Sequence, residues 1–312
     1  MQRYSIRAIL FLASLPIAAW AAEAGWIVDA KSACKVWNGN PHANETVEWS
    51  GGCQNGLAQG NGTLQWLIDG KPGQRYDGEL RDGKANGHGI AALDYGDRYD
   101  GEWRDGKKSG HGVLTFSYGD RYDGAWLDDK QNGHGVYTSA NGDRYDGEWL
   151  DDKKNGHGVL TVANGNRYDG AWRDDEASGH GVLIYTNGDR YDGEWLDGKE
   201  NGHGVLIYAN GDRYDGNWLG GKKSGHGVYT SANGNRYDGE WRDDKHNGHG
   251  VLTSANGDLY DGEWSNDRAS GYGTFYSASS HETVSGQWTK GCLHQGTRHG
   301  IVGATAHECG FL

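Results

Sequence analysis

A chain of 312 residues with 55 glycines, three prolines and only 35% hydrophobic residues lacks the material for the packed core its length would ordinarily carry. Its apolar area is concentrated in 14 Trp and 18 Tyr, against 4 Phe and 1 Met, rings with a polar edge that suit half-exposed sheets. A formal charge of −13 disfavours nucleic acid and anionic lipid, both of which recruit basic surfaces.

Residues 1–21 read as a cleavable export signal. Arg3 and Arg7 precede an apolar stretch from Ala8 to Ala19, and Ala19-Trp20-Ala21 is a small-x-small cleavage site before Ala22. A membrane-spanning helix needs around 20 apolar residues, and this run is shorter and broken by Pro16. Cleavage removes two cations and no acid, leaving −15, and predicts a soluble protein in the periplasm or outside the cell. Residues 22–75 are expected to form an N-terminal cap containing a degenerate copy of the unit that follows, with Trp49-Ser50-Gly51 and then Gly60-Asn61-Gly62.

Residues 76–283 are a tandem array. Tyr-Asp-Gly recurs at Tyr76, Tyr99, Tyr122, Tyr145, Tyr168, Tyr191, Tyr214, Tyr237 and Tyr260, each step being 23 residues without insertion, so one structural unit corresponds to one repeat. Four residues on stands a tryptophan in eight of the nine copies (Trp103, Trp126, Trp149, Trp172, Trp195, Trp218, Trp241 and Trp264), with Leu80 in the first. Gly-His-Gly follows, centred on His88, His111, His134, His157, His180, His203, His226 and His249, with Tyr272 in the last copy. Residues 284–312 close the chain with another degenerate copy, Val284-Ser285-Gly286-Gln287-Trp288, and a cap.

Each repeat predicts two short strands. In Arg144-Tyr145-Asp146-Gly147-Glu148-Trp149 a period of two puts Tyr145, Gly147 and Trp149 on one face and the charged residues on the other. In Gly156-His157-Gly158-Val159-Leu160-Thr161 the glycines leave hollows against which a neighbouring ring can lie. Asn141-Gly142 and its equivalents supply the positive φ angles of a tight hairpin turn joining one repeat to the next. The stretch from Leu150 to Asn155 reads as a longer, solvated loop. Two strands per repeat advance an antiparallel sheet by roughly 9.6 Å, and nine repeats by roughly 85 Å. The fold class is therefore all-β, an elongated twisted antiparallel sheet of tandem 23-residue hairpins, each stabilised by the next.

The Tyr-x-Gly…Gly-x-Gly pattern at 23 residues closely resembles the MORN (membrane occupation and recognition nexus) repeat over residues 76 to 275. The resemblance implies a repeat sheet that scaffolds proteins, in some relatives a proposed attachment to phospholipid, and no catalytic activity. Export would set this chain apart from better-known relatives with cytoplasmic roles and inositol-lipid partners.

Four cysteines flank the array: Cys34 and Cys53 before it, Cys292 and Cys309 after it. Export favours disulfides, and Cα atoms must approach within about 7 Å, which an array of roughly 85 Å allows only for Cys34 with Cys53 and Cys292 with Cys309. Neither cofactor nor metal is expected. Histidines on successive repeats stand roughly 9.6 Å apart, too far to share one zinc at about 2.0 Å. The aspartate column (Asp77, Asp100, Asp123, Asp146, Asp169, Asp192, Asp215, Asp238 and Asp261) has neither EF-hand nor calcium β-roll spacing, and turn and strand-edge hydrogen bonding accounts for it better. No nucleophile, acid or base stands apart from the repeats, so an enzyme is not expected.

The leading reading is a scaffold presenting one long face to an envelope or extracellular protein. The rival is a binding module for extended polysaccharide or peptidoglycan, with Tyr99, Trp103, Tyr122, Trp126, Tyr145, Trp149, Tyr168, Trp172, Tyr191 and Trp195 as the candidate binding rings. Phospholipid attachment comes third, held down by the charge. Open sheet edges at the two ends also allow a homodimer.

Overall fold

The computed structural model describes residues 25–295 and 298–310, so the expected signal segment 1–21 lies outside the described residues. Two compact units divide them, one of residues 25–163 with 172–175 and one of 164–171 with 176–310. Both are built almost wholly of strands. The one helical element among the described residues is a 3-10 turn at Asp94–Gly96.

Every repeat folds as the alternation dictates. After the first repeat, whose tyrosine strand is the longer Lys71–Arg81, a seven-residue strand carries the tyrosine, as in Arg144–Leu150, and a nine-residue strand carries Gly-His-Gly, or Gly-Tyr-Gly in the last copy, as in Lys153–Thr161. Burial along Arg144–Leu150 alternates strictly, with Tyr145, Gly147 and Trp149 inside and Arg144, Glu148 and Leu150 outside. Pairing is antiparallel and aligns glycine on glycine: Gly147 faces Gly135 of the preceding repeat and Gly158 of its own. The ladder is regular towards the preceding repeat. Towards its own partner it breaks after Gly147 and resumes with Trp149 opposite Lys154, a bulge for which Gly156 takes a φ of +77°.

The two connections exchange the roles the sequence suggests for them. The stretch expected to be a loop is a two-residue turn: Leu150 pairs with Lys153, and Asp151 and Asp152 both hold positive φ, 49° and 67°, the pair of left-handed residues that a type I′ hairpin requires. The Asn-Gly connection is the longer one. Ser139 and Asp143 close it (N–H to O, 2.9 Å), Gly142 N–H reaches back to Ser139 O at 2.9 Å, and of its residues Gly142 alone has positive φ. A type I turn followed by a left-handed glycine explains why Asn141 need not leave ordinary backbone.

Degenerate copies and caps close both ends. At the front, Gly25–Val28 pairs with Lys35–Asn38, Trp37 N–H bonds Gly83 O at 2.8 Å, and Cys34 is bonded to Cys53 with Cα atoms 5.7 Å apart. At the back, Cys292–Gln295 pairs with Arg298–Ile301, and Cys292 is bonded to Cys309 with Cα atoms 5.5 Å apart. These are the two pairings expected from the sequence.

Candidate functional site

The inner face is a ladder of rings. Tyr145 lies across the glycine row: a Cβ on Gly158 would stand 2.5 Å from its Cζ and 2.6 Å from its Cε2. Its hydroxyl donates to Glu148 O at 3.0 Å, and in the same column burial raises the phenol pKa of Tyr99, Tyr122 and Tyr191. Trp149 Nε1–H donates to Gly135 O of the preceding repeat at 3.1 Å. Tyrosines meet tryptophans edge-on on both sides where both are present: Tyr145 has its own Trp149 at 5.2 Å and Trp172 of the next repeat at 5.4 Å between centroids, whereas Tyr76, with Leu80 in its own repeat, has Trp103. Glycine supplies the room, tyrosine fills it, and tryptophan ties one repeat to the one before.

One slot in this ladder varies. Lys108 lies over Tyr99 and Trp126, and Lys154 over Tyr145 and Trp172. Burial pulls the pKa of both lysines down, opposed by Asp129 and Asp175 respectively. His246 fills the same slot, stacked on Tyr237 at 3.7 Å, and desolvation depresses its pKa to about 4 against the pull of Asp267. Gln131 and Ala177 occupy it elsewhere.

The sheet margins are stitched by aspartate and asparagine. On one side the carboxylate of Asp152 accepts from Gln131 N–H at 2.8 Å, as Asp129 does from Lys108 and Asp175 from Lys154. On the other, Asp143 accepts from Ala163 N–H at 2.7 Å and Asp189 from Ala209 at 2.8 Å. Each bond crosses to an adjacent repeat.

The outer face carries a row of charged triads. Asp146 takes Arg144 Nη2 at 2.7 Å and His134 Nε2 at 3.0 Å. The same three-residue set recurs around Asp100, Asp123, Asp192, Asp215 and Asp238. Around Asp261 the histidine remains, while Leu259 stands where the arginine would be. The histidines are 59–69% exposed along this row, so the pairs are solvated and orient side chains more than they stabilise the fold. Among the described residues no three His, Cys, Asp or Glu side chains converge as a metal site.

The repeat unit matches the family model "MORN repeat" ten times, over residues 49–66, 76–91, 99–121, 122–144, 145–167, 168–190, 191–213, 214–236, 237–259 and 260–281. The chain belongs to the MORN repeat family. The match at 49–66 places the degenerate copy around Trp49 within the array, and there Trp49 takes the tyrosine's place over Gly51 and Gly62. No curated protein matches the chain. Among solved structures, it is similar to the TCP domain of Drosophila melanogaster SAS-4, described in complex with a proline-rich motif of Ana2. That match has 13% identity and a TM-score of 0.32, over 51% of this chain and 87% of that one. The TCP10 domain of Danio rerio CPAP gives 10% identity and a TM-score of 0.34 over 73% and 96%. A streptogramin B lyase gives 10% and 0.16 over 88% and 85%.

MORN packing decides where the candidate rings stand. Tyr99, Tyr122, Tyr145, Tyr168 and Tyr191 are at most 1% exposed, and Trp126, Trp149, Trp172 and Trp195 at most 5%. Their faces are occupied by glycine backbone, neighbouring rings and the slot residue, which leaves little to stack on a ligand. Trp103 alone of the ten is half-exposed. The outer triads are the groups that sequence reasoning did not assemble. Parity puts arginine and aspartate on one face, but the histidine joins them only through the strand register, with Val136 opposite Asp146 and His134 two residues along.

Proposed function

We propose that this MORN-repeat protein is an exported, non-catalytic scaffold that binds a protein partner through the triad-bearing face of its repeats. The observation that carries this reading is the recurrence of one arginine, aspartate and histidine set from repeat to repeat, on the face whose side chains the fold leaves in solvent. The aspartate fixes the arginine and imidazole in orientation, so a partner meets donors already ordered, repeated once per MORN unit. Contacts individually weak in water become specific when several are engaged in register. The paired cysteines support an oxidising compartment, in keeping with export directed by residues 1–21.

The test is affinity capture of the tagged protein from its own cells after mild crosslinking, with mass spectrometry and analysis of attached glycan. A single envelope protein in stoichiometric amount, lost when Arg144, Arg190 and Arg236 are together changed to Glu, is the expected outcome. Recovery of wall polysaccharide without protein, or a partner indifferent to the charge reversal, would overturn the scaffold reading.

A further inference from the structure

The first repeat is hollow where the others are full. Its slot residue is Ala85, and the residue opposite Tyr99 is Ala91, a column that reads Leu114, Tyr137, Leu160, Leu183, Leu206, Tyr229, Leu252 and Phe275 in the following copies. Alanine fills the slot again at Ala177 and Ala269, but there the companion column holds Leu183 and Phe275. In the first repeat alone both positions are small. Trp103 keeps the backbone anchor of its column, Nε1–H to Gly89 O at 3.1 Å, and its Tyr76 and Tyr99 neighbours at 5.4 and 5.1 Å. What it lacks is the cover that Lys108 and Leu114 stand ready to give one repeat later.

The N-terminal cap leaves that space open beneath it. A cleft of about 500 Å³ remains, lined from the cap by Trp37 and Asn38 and from the sheet by Trp66, Ala91 and Trp103, within the range of roughly 300–1,000 Å³ that small-ligand sites occupy. Trp37, Trp66 and Trp103 are all half-exposed. Polar groups share the lining. Asn38 donates to Glu45 at 2.6 Å, Gln74 is paired with Asp94, and Lys84 Nζ sits 5.3 Å from the Trp37 ring centre.

We infer that this cleft binds a short oligosaccharide of pyranose rings. A pyranose offers an apolar C–H face to an indole and a rim of hydroxyls to amides and carboxylates, and a cleft that holds three indoles together with amide and carboxylate groups offers both kinds of partner. A phosphorylated or strongly anionic ligand is matched less well than a neutral one. The cations of the lining are Arg75, held by Asp77 at 2.7 Å, Lys84 over Trp37, Lys107 near Asp128 and Lys108 over Trp126, and Glu45, Asp105 and Asp129 put carboxylates in the same wall. A purely apolar ligand would take water from the Glu45 carboxylate, whose bonds to Asn38 and to His42 N–H leave its charge without a cation among the described residues. The site is independent of the triad face, so the two readings stand or fall separately.

The array itself supplies the variant that tests the site. Ala85→Lys with Ala91→Leu restores what the second repeat carries at Lys108 and Leu114, filling the cleft with side chains the fold accommodates 23 residues on. The full exported chain, with both disulfides intact, is titrated with cellotriose, maltotriose, xylotriose and chitotriose by calorimetry and tryptophan fluorescence. At least one sugar should bind saturably with Kd at or below about 1 mM. Binding should weaken at least ~tenfold in the double variant, whose Tm is not lowered, and in Trp37→Ala. No saturable binding up to about 10 mM, or an affinity unchanged when the cleft is filled, overturns the inference. So does a sugar that binds Trp37→Ala and the double variant as tightly as it binds the unaltered chain, which would place it elsewhere on the array. Capture of the protein partner should be unaffected by the double variant.

Discussion

The packing of tyrosine on glycine makes a quantitative demand at Gly158. Gly158 lies in ordinary extended backbone, so replacing it with Ala costs nothing in φ and should gain roughly 0.5–1 kcal/mol of chain entropy. Against this, the new Cβ would stand 2.5 and 2.6 Å from Cζ and Cε2 of Tyr145, where carbon atoms settle at about 3.5–4.0 Å. The ring must retreat by about 1 Å. It is held by its hydroxyl on Glu148 O at 3.0 Å and by Trp149 and Trp172 on its edges. Overpacking of this kind costs about 1–3 kcal/mol, and breaking the hydroxyl's bond adds about 1 kcal/mol. The clash wins, for a net destabilisation of about 2 kcal/mol.

Repeat arrays unfold locally, so the readout is hydrogen exchange of individual amides rather than one global midpoint. Amides of Arg144–Leu150 and Lys153–Thr161 should exchange ~30-fold faster in Gly158→Ala, with those of Arg213–Leu219 and Lys222–Thr230 unchanged. In a Tyr145→Leu background the obstructing ring is gone, and the same glycine change should become neutral or stabilising. Equal cost in both backgrounds would show that the glycine is there for some reason other than the ring.

Three further outcomes follow from the geometry. Asp151→Gly relieves a non-glycine residue at φ 49° and should stabilise by about 0.5–1 kcal/mol, whereas Asp152→Ala keeps the strain and removes the acceptor of Gln131 N–H, costing about 1–2 kcal/mol; chemical denaturation of the pair distinguishes them. His246, with a pKa of about 4 against an unfolded value near 6.5, binds its proton more readily in the unfolded chain. Its contribution is whole above pH ~6.5 and is lost as the pH falls towards 4, about 2 kcal/mol by pH ~4.5. His246→Gln, the residue that Gln131 supplies in the same slot, should flatten that part of the stability profile, and an unaltered profile would refute the assignment. Reducing Cys34–Cys53, which closes a span of 19 residues, should lower the cap's stability by about 3 kcal/mol, seen as a change in Trp26 and Trp37 emission before the repeats melt.

The repeating features were legible because they are written many times over. A 23-residue period, a period of two within each strand and glycines opposite rings fix the strand pairs, the inner face and the cysteine pairing. Turn assignment went astray for a physical reason. Asn-Gly is the usual signature of a two-residue turn, but here the surrounding ladder closes five residues, and only glycine needs positive φ. Asp151-Asp152 reads as a solvated loop, although a short polar side chain is among the few that tolerate the left-handed region. Asp105-Gly106 and Asp197-Gly198, at the same place in other repeats and with both residues at positive φ, carried the truer signal. The cleft was hidden differently. Ala85 and Ala91 were visible as residues, but only the three-dimensional neighbourhood of Trp103 shows that their smallness falls on one ring.

Departures from the repeat are coupled across repeat boundaries, and the coupling has an electrostatic cause. The second turn residue lies against the slot residue 21 or so positions earlier, its N–H bonding that residue's carbonyl, as Asp152 does to Gln131 and Gly221 to Glu200. Where the slot is Lys108, Gln131, Lys154, Lys223 or His246, the turn carries Asp129, Asp152, Asp175, Asp244 or Asp267, and each of these carboxylates accepts the slot residue's own N–H. Where the slot is Ala85, Ala177 or Glu200, the turn carries Gly106, Gly198 or Gly221, which has no carboxylate to offer and makes the backbone bond. A carboxylate beside Glu200 would add like charge, and even a Cβ on Gly221 would come within 3.2 Å of Glu200 Oε2. A half-buried lysine or imidazole gains from the anion, neutral Gln131 takes only its hydrogen bond to the backbone N–H, and an alanine leaves it no charge to meet. Each repeat is therefore matched to its neighbour, so two copies exchanged in order would misplace charge although every strand would still pair. Near-identity of the units thus coexists with a fixed sequence of units. A fixed order is what lets one end of the array differ from the rest, and the first repeat, with Ala85, Ala91 and the uncovered face of Trp103, is the place where it does.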